Sequence, residues 1–94
     1  MEMKTLHKHA IQMDHTPTLL ELPKGAVIRR VEYVTQEKGI FMWVEIPIKV
    51  NLEKNLRKFK IFKTGDAVPN THIYVGTAID AFAPEAYHLY ESIE

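Results

Sequence analysis

The chain contains no cysteine, which excludes a disulfide framework and any thiolate-based metal site. No apolar run approaches the roughly 20 residues that a membrane-spanning helix needs, so a membrane partner is not expected. Ser92 is the only serine and has no Gly-x-Ser-x-Gly elbow around it, which argues against a serine hydrolase. The 4 glycines are scattered one to a turn or strand, and none of them build a phosphate-cradling loop. Neither sign of charge is in excess: 12 basic and 12 acidic residues give a formal net charge of zero. A protein that tracks a nucleic-acid backbone carries a basic surplus or stripe, and the short run Lys54-Asn55-Leu56-Arg57-Lys58 does not supply one. Bulk nucleic-acid binding is therefore excluded. Near-zero charge also removes the repulsion that keeps small domains apart, and a homo-oligomer is expected.

What remains is ordinary globular material. The 94 residues are 46% hydrophobic and 26% charged, which fits one domain over residues 1–94 with a modest core. Met1-Glu2-Met3-Lys4 runs straight into alternating residues, so a signal peptide is not expected and the chain reads as cytosolic.

The organising stretch is Arg57 to Thr77. Phe59, Ile61 and Lys63 alternate with Lys60 and Phe62, and beyond Thr64-Gly65-Asp66-Ala67-Val68-Pro69-Asn70 the residues Ile73, Val75 and Thr77 alternate with His72, Tyr74 and Gly76. A period of two with branched and aromatic residues predicts strand, turn, strand, hence a central hairpin. Lys4 to Met13 has two mixed faces, as an edge strand or subunit contact would. Thr18 to Leu22 is a short strand that could pair with it. Ala26 to Thr35 and Ile40 to Ile46 predict a second hairpin, with Gly39 taking the positive φ angle and Ile40 to Ile46 buried on both faces. Residues 48–55 read as loop or a single helical turn. Phe82 is expected to plug the core, and Glu85 to Ser92 closes the chain as a strand. The expected fold is a small all-β antiparallel sandwich or partly closed barrel of about seven short strands.

The chain also resembles a family of short bacteriophage-encoded proteins of uncharacterised function. The resemblance is carried by Leu20-Glu21-Leu22-Pro23-Lys24-Gly25-Ala26, by Phe41-Met42-Trp43-Val44, by Tyr74-Val75-Gly76-Thr77 and by Tyr87-His88-Leu89-Tyr90-Glu91. In the turn at Lys63 to Pro69 the family tends to have histidine and proline where this chain has Asp66 and Ala67. The resemblance implies a viral accessory protein in the cytoplasm of an infected bacterium, and it brings no catalytic assignment.

Several constellations invite a chemical reading. His7 and His9 sit at i and i+2 of a strand and point the same way, as two imidazoles on one ion would, with His72 or His88 as a third. Without cysteine or a suitably spaced carboxylate, surface histidines are the simpler reading, and no metal or cofactor is assigned. Asp66 with His72 could make an acid–base pair, but an Asx bond capping the turn explains Asp66 equally. Trp43 reads as core. Arg29, Arg30 and Arg57 with Tyr33, Tyr74, Tyr87 and Tyr90 supply what a nucleotide site needs, since guanidinium grips phosphate and aromatic faces stack on bases. Ion pairing with Glu32, Glu45 or Glu53 is the plainer fate of any one arginine. Arg29 and Arg30, being adjacent, should face opposite ways.

These residues point to a non-enzymatic binder, with no catalytic residues, that sequesters a small nucleotide-derived immune signal. Arg57, Lys58, Arg29, Tyr74 and His72 are the expected ligand contacts. The alternatives are a protein-interaction module that blocks a host protein and, behind it, a nucleotide phosphodiesterase.

Overall fold

The computed structural model describes residues 1–93. Among them the strands are β1 (Lys4–Ile11), β2 (Thr18–Pro23), β3 (Val27–Val34), β4 (Gly39–Pro47), β5 (Lys54–Lys63), β6 (His72–Asp80) and β7 (Glu85–Ser92), with one 3-10 turn at Thr35–Glu37. Two antiparallel sheets form a sandwich. One has three strands in the order β1-β4-β3, and the other has four in the order β2-β5-β7-β6. No helix among the described residues is long and apolar enough to cross a membrane.

The core follows from alternation. Ile40, Met42 and Val44 of β4 face inward against Phe59 and Ile61 of β5 and Leu89 of β7, each at most 2% exposed. Leu22 closes the β2 side, and Ala78 and Tyr87 the other. Burying a side chain of this size stabilises by about 1.5–3 kcal/mol, so this layer holds most of the folding energy.

Beta-bulges re-aim two strands. Register in β3 slips between Ile28 and Arg30, so Ile28, Val31 and Tyr33 all reach the core although their numbering parity differs. The same slip puts Arg29 and Arg30 on one outer face, where strict alternation would have split them. In β6 the register slips between Tyr74 and Gly76, which turns Gly76 inward beneath Val31. A Cβ there would lie 3.2 Å from Val31 Cγ2, so glycine lets β3 settle onto β6.

The β3–β4 hairpin forms as the sequence suggests, but Lys38 takes the left-handed conformation (φ 52°) and Gly39 does not. Other expectations are corrected. β1 and β2 do not pair, because the chain crosses between sheets after Ile11. β4 is central in its sheet, yet Phe41 and Trp43 on its outer side are only half-buried, so Trp43 is not core. Phe82 is 83% exposed at the β6–β7 turn, where Asp80 accepts hydrogen bonds from the Phe82 and Ala83 amides at 3.0 and 3.4 Å.

The largest correction concerns Arg57 to Thr77. β5 and β6 are not a hairpin, because β7 lies between them and pairs antiparallel with both. β5 and β6 therefore run parallel, and residues 64–71 must return to the starting level of the sheet. That journey spans roughly 17 Å along the strands and about 10 Å across them. Eight residues reach at most about 28 Å, enough for that path. Thr64 bonds His88, and Val68 lines a groove with Phe62 and Tyr90, so the segment crosses the outer face.

Candidate functional site

The outer face under this crossover carries a regular array. Three strands contribute three residues each, in register: Lys58, Ser92 and His72 in one row, Lys60, Tyr90 and Tyr74 in the next, Phe62, His88 and Thr77 in the third. Lys58, Lys60, Phe62, His88 and Tyr90 each neighbour a core residue, so the packing that buries Phe59, Ile61, Tyr87 and Leu89 also fixes them outward, and the ladder sets the rest in register.

Rings dominate the array. Phe62 meets Tyr90 edge to face at 5.4 Å, Tyr90 meets Tyr74 at 5.5 Å, and His72 meets Phe62 at 5.5 Å from the opposite corner. Phe62 is only 5% exposed despite facing away from the core. The rings of His72 and Tyr90 and the Lys60 side chain pack against it, and a shallow groove of about 250 Å³ lies between the crossover residues Thr64, Asp66 and Val68 and the rings of Phe62, His88 and Tyr90. Tyr74 stays 55% exposed at the open side.

A polar chain threads the same face. The Thr64 hydroxyl bonds His88 Nε2 at 2.9 Å, His88 Nδ1 bonds the Thr77 hydroxyl at 3.0 Å, and that hydroxyl bonds the Tyr74 hydroxyl at 2.6 Å. A neutral imidazole donates from one nitrogen and accepts at the other, so the chain can be polarised in either direction. Among the described residues neither nitrogen of His88 bonds a carboxylate, the usual partner that steadies an imidazolium.

Electrostatically the array leans positive. Lys60 Nζ sits 5.1 Å from the Phe62 ring centroid, and neither Lys58 nor Lys60 has an ion-pair partner among the described residues. Asp66, in the crossover, is occupied: its carboxylate accepts from the Lys63 amide at 2.8 Å, capping the turn as an Asx bond. His72 meets Thr71 and Phe62, so the Asp66–His72 acid–base pair does not form.

The chain belongs to a family. It is the one described as "Domain of unknown function (DUF7352)", and the match covers residues 3–94. No curated protein and no solved structure matches this DUF7352 chain.

Of the five expected ligand contacts in this DUF7352 member, Lys58, His72 and Tyr74 share the array, and two do not. Arg57 points the other way, toward the rim of the core, and is consumed there. Its guanidinium grips both carboxylate oxygens of Glu91 at 2.6 and 2.7 Å and donates to the Ala26 carbonyl at 3.2 Å. These bonds hold Arg57 above its ordinary pKa and tie β5 and β7 to the entry of β3. Arg29 lies on the other sheet altogether, 2.9 Å from Glu45, whose carboxyl is held below its usual range mainly by that bond. Ion pairing was foreseen for the arginines, but Glu91 was not among the partners considered.

Phe62, Lys60, His88, Thr64 and Thr77 were missed as site members. Parity was the available signal: Lys58, Lys60, Phe62, His88 and Tyr90 are all even-numbered on unbulged strands. His7 and His9 face the same way, with rings 6.4 Å apart, but His72 and His88 are on the other sheet and complete no set with them.

Proposed function

We propose that this chain is a non-enzymatic binding protein that captures a small nucleotide-derived anion on the outer face of its four-stranded sheet. The observation that carries the proposal is the array of His72, Tyr74, His88 and Tyr90 beside two lysines, Lys58 and Lys60, that no carboxylate pairs among the described residues. Aromatic rings offer a stacking surface of about 1–3 kcal/mol per base, and the lysines offer the positive field a phosphate seeks. In the setting the phage resemblance suggests, the captured ligand is a nucleotide signal of bacterial immunity, held in the cytoplasm of the infected cell.

Calorimetry with adenine mononucleotides and cyclic nucleotides tests this reading. Saturable binding, with the ligand recovered intact after denaturation and affinity cut about tenfold by Lys60→Glu, is the expected result. Absence of binding by every nucleotide tried, or consumption of the ligand, would overturn it.

A second reading rests on a separate observation. Leu19 and Leu56 are 54% and 65% exposed on the same outer face, beside Lys58 in the register of β2 on β5. Such an apolar margin suits a protein partner, including a second copy of this chain. Light scattering at micromolar concentration would show a dimer or larger assembly under this reading.

A further inference from the structure

The inner side of β1 is polar where its neighbour is apolar. Thr5, His7 and His9 stand opposite Ile46, Val44 and Met42 of β4, on the side that faces the other sheet. At the Thr5 end a cleft of about 490 Å³ lies between β1, the end of β4 and the 48–54 segment. That volume lies within the range of small-molecule sites, roughly 300–1,000 Å³.

The lining divides in two. Ile46, Pro23, Pro47 and Leu52 give an apolar floor, and His7 and Lys54 stand among the remaining lining residues. No carboxylate among the described residues lines the cleft. Lys49 nearby is engaged with Glu2 at 3.3 Å, whereas Lys54 has no ion-pair partner among the described residues. The walls are tied rather than loose: the Lys24 amide donates to the Glu53 carbonyl at 2.7 Å, and the Ile48 amide to the Met3 carbonyl at 2.9 Å.

An apolar floor with an unpaired ammonium beside it is complementary to one kind of small molecule. We propose that this cleft binds a small amphipathic carboxylate, its short acyl or aryl body on Ile46 and Leu52 and its carboxylate at Lys54 and His7. This site is built from different residues than the array on the four-stranded sheet and does not depend on the reading given to that array.

Octanoate and 1-octanol are a matched pair of probes, alike in apolar body and different in charge. Titrated separately into the protein and followed by two-dimensional NMR, octanoate should saturate with shifts gathered at Thr5, His7, Ile46, Leu52 and Lys54. Octanol should bind at least about tenfold more weakly, the worth of a charge-assisted hydrogen bond. Lys54→Gln should weaken octanoate about tenfold and leave octanol unchanged, while Lys54→Arg, which keeps the charge, should retain octanoate. Equal affinities for the two probes, shifts elsewhere, failure to saturate, or indifference of octanoate to Lys54→Gln would each overturn the proposal.

Discussion

The two outer faces of this sandwich are made of similar materials and arranged to opposite effect. On the three-stranded sheet Phe41 and Trp43 are ringed by cations that each hold a carboxylate: Lys4 and Arg29 share Glu45, Arg30 grips Glu32, and Lys8 reaches Glu37. On the four-stranded sheet Phe62, Tyr74 and Tyr90 lie beside Lys58 and Lys60, for which no carboxylate is provided among the described residues. A face whose charges are mutually satisfied presents little net field. A face with rings and unpaired ammoniums attracts a planar anion. Zero net charge over the whole chain conceals this asymmetry, because the balance is struck on one sheet and left open on the other.

The sharpest way to strain the comparison is to delete an aromatic from each face. Phe62→Ala should cost about 3 kcal/mol in urea denaturation, since Phe62 is buried beneath the crossover although it faces outward. Trp43→Ala should cost less, because Trp43 is only partly buried on the outer side of β4. Equal losses would mean the crossover does not pack as described.

Arg57→Met comes next. It removes the two-pronged bond to Glu91 and the bond to the Ala26 carbonyl, and should lower stability by about 1–2 kcal/mol. It should leave nucleotide affinity unchanged, because Arg57 serves the rim of the core. A stable variant that has lost binding would return Arg57 to the site.

Reversing charge on the open face should separate stability from binding. Lys58→Glu is expected to shift stability by no more than about 0.5 kcal/mol while reducing nucleotide affinity several-fold. If both fall together, the lysine is structural and the contrast between faces weakens.

The smallest effect lies on neither outer face. The His9 imidazole is held below its usual pKa of 6.5, first by burial and then by the charge of His7. A depressed value means that the unfolded chain binds the proton more readily than the folded one. The contribution of His9 is therefore present above about pH 6.5 and lost as pH falls through the folded value. Between about pH 7 and pH 5 the thermal midpoint of His9→Gln should drop less than that of the parent chain.

Much of the sandwich was legible from alternation. The β3–β4 hairpin and the seven-strand count were visible because period two and turn residues are local signals. Partner choice was not local. Gly65, Asp66, Pro69 and Asn70 announce bends, but nothing in them says whether the chain doubles back beside β5 or travels over β7 to the far edge. The bulges at Arg29 and Val75 were equally hidden, and each reverses the facing of everything beyond it on its strand. For the site, Lys58, His72 and Tyr74 were found by residue type. Arg57 and Lys58 are neighbours in sequence and face opposite sides of the sheet, so an inventory of cations could not separate them until the parity of β5 was anchored by buried Phe59.

Chemical-shift mapping with adenosine monophosphate bears on the contrast between the faces without any mutation. The account predicts saturable shifts at Lys58, Lys60, His72, Tyr74, His88 and Tyr90, with Trp43, Arg29 and Arg30 left unmoved. Shifts centred on Trp43 and its paired arginines, or none on either face at saturating nucleotide, would contradict it.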